Sequence, residues 1–321
     1  MFAMRGIAVS FSIFFILYSV LSVAICLVWR RLWLYGQQQP ARQCADLLFI
    51  LRMVPFVVAT GVTLVFAVPS FLLLEPRAVE ESMGAGAVML GCCGMAVMLA
   101  GAWKAAAALV RVTRTVARWS SEARVIDSCD VGYQQPVAVM RTSAAAPPLT
   151  AAGILRPRVW LSGAAEFVLT ERELQSALRH EVVHVRRRDN LRKLLLRLVA
   201  FPGLARLESA WRQATEMAAD DAAVSNASEA LDLAAAVIKL SRLTPFVPPA
   251  ELTTALVHSP AESVNARVER LIAWTERRQT PSKRYSLGYT LCAAVALVAT
   301  LTVTYSEVLV RVHAATEWLV R

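Results

Sequence analysis

The chain has 321 residues, 56% of them hydrophobic, with a mean hydropathy of +0.48 and a formal charge of +10. That is more apolar than a water-soluble domain, where usage runs nearer about 45–50%. The basic balance comes without aromatic-interleaved basic patches or zinc-finger spacing, which excludes direct nucleic-acid binding as the reading of the charge. The six cysteines form no metal or redox framework. Cys26, Cys92, Cys93 and Cys292 lie in apolar runs where cysteine packs as a small hydrophobe, and Cys44 and Cys129 fall on a reducing side, so no disulfide is expected.

Four blocks, residues 6–29, 53–74, 82–103 and 285–306, run without a charged side chain. About 20 such residues span a hydrocarbon core of ~30 Å, so each block predicts a transmembrane helix. Pro55 and Pro69 sit near the ends of the second block, where a helix tolerates them best. Arg30, Arg31, Arg42 and Arg52 fill the first loop, and Glu75, Glu80 and Glu81 outweigh Arg77 in the second. Lys104, Arg111, Arg114, Arg118 and Arg124 follow the third span, while Arg267, Arg270, Arg277, Arg278, Lys283 and Arg284 precede the fourth. Positive loops stay inside. The expected topology is therefore a multi-pass membrane protein, with both termini extracytoplasmic and residues 104–284 cytoplasmic. The positive cluster after the first block, rather than before it, argues against a cleaved signal peptide.

The inner segment begins with β-leaning runs, Val137 to Met140 and Val159 to Leu161, separated by Ala, Pro and Gly. From Thr170 the pattern turns helical. Thr170-Glu171-Arg172-Glu173 has the form of a capping box, and Leu174, Ala177 and Leu178 start an apolar face. His180-Glu181-Val182-Val183-His184 follows on the same helix. Residues four apart share a helical face, so two imidazoles can bind one metal while Glu181 serves as general base toward a water at its open position. Arg186 to Asn190 is expected to continue this helix as a charged face, with Asp189 paired to an arginine. Residues 191–199 read as a further helical stretch suited to a membrane surface. Pro202-Gly203 breaks it. Helices are expected over 204–225 and 227–243, then a loop with Pro245, Pro248 and Pro249, then a basic amphipathic helix over 263–278.

A catalytic zinc needs a third protein ligand. Glu216 and Asp220 share a face at i, i+4, so one can ligate while the other accepts an N–H from a ligating histidine. Glu208 and Asp221 are the other carboxylates in range. His258 is a weak candidate for stabilising an oxyanion, and His313 falls on the opposite membrane face.

Pro147-Pro148-Leu149, Gly153, Arg156 to Leu161, the HExxH string with Arg188-Asp189-Asn190, and Glu216-x3-Asp220-Asp221-Ala222 together resemble the peptidase half of BlaR/MecR-type antirepressor metallopeptidases. The resemblance covers essentially the whole chain. It implies Zn2+ on His180, His184 and Glu216, Glu181 as catalytic base and Asp220 as a supporting carboxylate. The implied fold is a mainly α membrane protein: four transmembrane helices, with a cytoplasmic α+β gluzincin-like zinc peptidase domain inserted between spans three and four. The corresponding division is 1–113 for the first three spans, 114–284 for the peptidase domain and 285–321 for the last span and tail. Where many members carry cysteine before the aspartate pair, this chain has Ala219. The sensor-type members also carry a penicillin-binding domain after the fourth span, whereas here residues 307–321 follow it. None of Lys104, Lys193, Lys239 and Lys283 has serine three places earlier, so acylation by a β-lactam is not expected.

The leading expectation is a membrane-embedded zinc endopeptidase that cleaves a cytoplasmic protein, by resemblance a transcriptional repressor, with the signal received from a sensor partner, the spans or the outer loops. Two other readings stand beside it: a quality-control zinc protease similar to the heat-shock type, and a non-catalytic receptor or scaffold. Homo-oligomerisation and autocleavage stay open.

Overall fold

The computed structural model describes residues 2–36, 38–75, 84–121, 123–129, 137–142, 147–199, 201–243, 252–255, 261–274, 305 and 307–315. They fall into two compact units, one of Met1–Val28, Met53–Ala100 and Arg278–Arg321, the other of Trp29–Arg52 and Gly101–Arg277. The fourth predicted span lies, apart from Tyr305, outside the described residues.

Among the described residues, three helical segments are long and apolar enough to cross a membrane: Phe2–Leu34, Ala41–Leu74 and Ala85–Ser121. Each outruns its uncharged block. The helices α1 (Phe2–Gly36) and α4 (Ala85–Ser121) carry their hydrogen-bonded ladder through the flanking arginines, because Arg and Lys are good helix formers. Between them α2 (Ala41–Val62) passes through a π-helical stretch, Thr63–Ala67, into α3 (Val68–Leu74).

In the first unit α4 meets α1 closely. A Cβ at Gly91 would stand 2.7 Å from the Ala8 carbonyl oxygen, and one at Gly94 would stand 2.3 Å from that of Phe11. Ser12 Oγ donates to the Ala87 carbonyl at 2.7 Å. Small residues and a hydroxyl are what bring apolar helices together where no hydrophobic gain separates protein from lipid. Pro69 has no N–H to give the carbonyl four residues back, Val65. That carbonyl accepts from the Tyr305 hydroxyl at 2.9 Å instead.

The second unit is built on a five-stranded sheet in the order β1-β2-β4-β3-β5. Its strands are β1 (Arg124–Cys129), β2 (Val137–Thr142), β3 (Leu149–Ala152), β4 (Arg158–Ser162) and β5 (Thr254–Ala255). Only β2 and β4 run parallel. Side chains alternate across the strands, so Val159 and Leu161 join one core while Trp160 between them joins another. On that second face Trp119 of α4 lies 5.6 Å from Trp160, centroid to centroid. Burial on both faces explains why these strands read as unbroken apolar runs. β1, β3 and the two-residue β5 were not expected from sequence, since none of them carries a periodic apolar signal of its own.

The helices of this unit are α5 (Gly163–Val168), α6 (Glu171–Arg187), α7 (Asp189–Leu198), α8 (Ala205–Ala223), α9 (Ala227–Leu243) and α10 (Ala261–Ile272). One expectation is corrected here. The helix does not continue from Arg186 through Asn190: Arg188 takes a left-handed conformation (φ 53°, ψ 41°), ends α6 and starts α7. A non-glycine residue held there costs of order 1 kcal/mol and persists only where its surroundings demand it.

Candidate metal centre

The start of α6 is fixed by the capping box that its sequence predicts. Thr170 Oγ1 accepts from the Glu173 amide at 3.4 Å, and the Glu173 carboxylate accepts from the Thr170 amide at 2.8 Å. Glu173 also pairs with Lys239 of α9 at 2.7 Å. The helix therefore enters at a set angle and rotation, with Ala177, Leu178 and Val182 in the core and His180, Glu181 and His184 nearly or fully buried on the adjoining face.

His180 Nε2 and His184 Nε2 are 3.1 Å apart. Glu216, on α8, offers one carboxylate oxygen to each, at 3.5 Å from His180 Nε2 and 3.7 Å from His184 Nε2. The other ring nitrogens face carboxylates: His184 Nδ1 is 2.7 Å from Asp189 Oδ2, and His180 Nδ1 is 3.0 Å from Asp220 Oδ1. The first is a hydrogen bond and the second a close charge contact. A carboxylate at Nδ1 fixes the proton there, so both Nε2 atoms turn lone pairs toward each other. In neutral imidazoles those lone pairs repel at that separation unless a shared proton or a metal ion lies between them. Ligands about 2.0–2.1 Å from a tetrahedral zinc stand about 3.3 Å from each other, close to the spacings found here. The three side chains therefore fit a divalent metal.

Glu181 lies beside this cluster, against the sheet. Its Oε2 accepts from the Ala151 amide of β3 at 2.9 Å, while Oε1 has no hydrogen-bond partner among the described residues. Burial raises the carboxyl pKa to about 7, against the lowering effect of the two histidines. Glu216 goes the other way. Burial would push it up, but His184, His180 and Arg267 pull it down to about 2. Burial would lower the His180 pKa, yet its contacts with Asp220 and Glu216 raise it to about 9. For Asp220, burial is again outweighed, chiefly by Arg267, and its pKa falls far below the usual carboxylate range.

Of the other candidates, Asp221 pairs with Arg270 at 2.7 Å and Glu208 pairs with Arg212 one turn along α8, so neither joins the cluster. His258 lies outside the described residues. His313 belongs to the first unit, 3.9 Å from Glu75.

Two residues of the site escaped sequence reasoning. Asp189 was read as a charged-face residue paired to an arginine. It does face Arg187 Nε at 3.5 Å, but it is fully buried and its other oxygen holds His184. The left-handed turn at Arg188 swings it back under the histidine, where a continuous helix would carry position i+5 well around the axis. Arg267, on α10, was read as part of a basic, topology-setting segment and of the amphipathic helix over 263–278, with a faint likeness to the closing segment of heat-shock-type zinc peptidases but no role at the metal site. It is 2% exposed, donates to both Asp220 oxygens at 2.8 and 2.6 Å and lies 3.1 Å from Glu216 Oε2. Its four-residue spacing from Leu271, on the buried side of α10, was the available signal.

A buried cluster that could hold a metal ion on the HExxH helix, in a chain with helices long and apolar enough to cross a membrane, fits a membrane-associated metallopeptidase. A comparison with family models agrees: the model described as BlaR1 peptidase M56 matches residues 74–273, more than half of the chain. The chain belongs to that peptidase family. No curated protein matches it.

Proposed function

We propose that this protein is a zinc-dependent endopeptidase of the bacterial inner membrane that cuts a cytoplasmic protein, a transcriptional repressor, and so relays a signal. The observation that carries the peptidase reading is the pair of opposed Nε2 atoms 3.1 Å apart with Glu216 alongside and the Glu181 carboxylate next to them. His180, His184 and Glu216 hold the ion. When bound, zinc supplies Lewis acidity toward the scissile carbonyl and lowers the pKa of water at its open position. Asp189 and Asp220 hold the imidazoles in the ligating tautomer.

Glu181 is the proton carrier. With one oxygen tethered to the Ala151 amide, its other oxygen is available to take a proton from the attacking water and return it to the departing amine. A pKa near 7 suits both halves of that cycle at neutral pH. The β3 amide is thus part of the machinery, since it sets which carboxylate oxygen faces the reaction.

The cytoplasmic placement of the peptidase unit and the extracytoplasmic termini rest on the distribution of arginine and lysine between loops. The repressor as substrate rests on the resemblance to BlaR/MecR-type antirepressors, and the signal enters through a sensor partner, the spans or the outer loops. The test compares cytoplasmic protein fragments in cells that express the native chain with those in cells that express Glu181→Gln. One dominant fragment, absent with the variant, is the expected result. Many fragments from misfolded membrane proteins would favour a quality-control protease, and an unchanged cellular response to the variant would favour a scaffold.

A further inference from the structure

Helix α2 makes a set of contacts that the peptidase chemistry above does not use. Asp46, Phe49 and Arg52 are spaced by three and share one face of α2, just before the uncharged block begins. All three reach the helices that carry the metal site. Asp46 Oδ1 accepts from Arg192 Nη1 of α7 at 2.6 Å and lies 3.6 Å from Arg187 Nη2 at the end of α6. The Phe49 ring sits 5.3 Å from the Arg192 guanidinium and 6.2 Å from the ring of Trp211 on α8. Arg52, 5% exposed, donates to the Val199 carbonyl at 2.5 Å. That carbonyl caps the C-terminal end of α7, where a cation also complements the helix dipole. α7 is therefore held to α2 at both ends.

The first residue of α7 is Asp189. One of its oxygens is committed to His184, and the other faces Arg187 Nε at 3.5 Å. A continuous line of polar contacts runs from α2 to the metal cluster: Asp46, Arg187, Asp189, His184. Arg187 stands 3.5–3.6 Å from two carboxylates, one fully buried and one 38% exposed, in ion-pair contacts rather than hydrogen bonds. Without the outer carboxylate, the guanidinium has a single carboxylate within ion-pair distance among the described residues. It is then drawn onto Asp189, in competition with the His184 N–H. A metal-ligating histidine whose carboxylate partner is diverted binds its metal less tightly.

We infer that Asp46 is a positioning residue for the metal site: it holds Arg187 between two carboxylates and so keeps Asp189 committed to His184. The stretch 46–52 of α2 thereby helps to set the geometry of a metal ligand. This inference rests on the reading of His184 as a ligand.

The test uses the full-length chain in detergent, with Co2+ as a spectroscopic probe and Zn2+ competed against a chelator. Asp189→Asn should weaken metal binding about 10–100-fold. Asp46→Asn, one link further out, should weaken it roughly 3–10-fold and shift the visible Co2+ spectrum, and Asp46→Glu should restore both. In the double variant Asp46→Asn should add nothing to Asp189→Asn, because both act on one link. Arg192→Gln breaks the shorter Asp46 contact without touching that link and should leave affinity within about twofold. An unchanged affinity in Asp46→Asn, losses that multiply in the double variant, or an Arg192→Gln loss equal to that of Asp46→Asn would overturn the inference. If His184→Ala kept native affinity, the metal reading itself would fall instead.

Discussion

Arg267→Met is the most informative single change. Methionine keeps most of the aliphatic volume but removes a buried guanidinium that donates to both oxygens of Asp220 and touches Glu216. Both carboxylates stay in place, short of their counter-charge. Removing one partner of a buried ion pair costs about 3–5 kcal/mol, which in a unit of this size lowers the melting temperature by roughly 6–20 °C. That figure holds for the metal-free chain. A divalent cation would stabilise the same carboxylates, so the cost should be smaller in the loaded protein. By linkage, the difference between the two costs appears as tighter metal binding, about tenfold for each 1.4 kcal/mol. The sign with pH also follows. Glu216 and Asp220 titrate below their ordinary values, so the stability they contribute is present above about pH 4.5 and fades as the pH falls toward about 2. The gap between native and variant should narrow over that window. Thermal melts in detergent, chelated and zinc-loaded, at several pH values, read all three quantities. A metal-free cost under about 1 kcal/mol, or a smaller zinc-induced rise in the variant than in the native chain, would refute the reasoning.

Glu181→Gln should retain zinc and lose proteolysis; in the metal-free chain it should also be the more stable form above pH 7. A carboxyl raised from 4.5 to about 7 loses stability as the pH climbs between those values, on the order of 3 kcal/mol, so melting curves of variant and native chain should converge near pH 4.5. Chelation should lower the melting temperature of the native chain, since a metal present at 100 times its Kd contributes about 2.7 kcal/mol; indifference to a chelator would count against a bound ion. Arg188→Gly should be neutral or stabilising by up to about 1 kcal/mol and Arg188→Val destabilising by more than that, because only the second raises the strain of the left-handed turn; equal melting temperatures would contradict the turn. Tyr305→Phe removes the donor to the Val65 carbonyl and should cost about 0.5–1.5 kcal/mol, read as a shift in unfolding in mixed micelles.

What the sequence made legible is what local periodicity carries. Two histidines four apart, a glutamate and an aspartate four apart, and a threonine followed three places later by glutamate each state a helical face or a helix start without help from the rest of the fold. The three described spans announce themselves by length and lack of charge, although not by their ends, because an arginine that ends an apolar block does not end a helix. The hidden parts depend on chain reversal or distance. Asp189 reaches His184 only through a left-handed residue, and that residue is an arginine in a run of three, not the glycine or asparagine that would mark such a turn. Arg267 stands 51 positions after Glu216, and only the packing of α10 near α8 joins them. β5 has two residues, too few for any pattern, and its place beside β3 is a product of tertiary structure.

The converging charges explain why these distant residues belong together. Glu216, Asp220 and Asp189 are buried or nearly so around two imidazoles whose Nδ1 atoms face Asp220 and Asp189. Burying three carboxylates is costly unless each finds a counter-charge. Arg267 meets two of them and Arg187 meets the third. These contacts still leave the opposed nitrogen lone pairs facing each other, and a neighbouring guanidinium cannot resolve that. A shared proton or a metal ion between them can. The residues around the HExxH helix therefore form two concentric sets, an inner one able to hold a metal ion and an outer one arranged to keep the inner carboxylates ionised. Loss of an inner side chain should abolish binding, whereas loss of an outer one should change it by a graded amount, upward in the case of Arg267→Met.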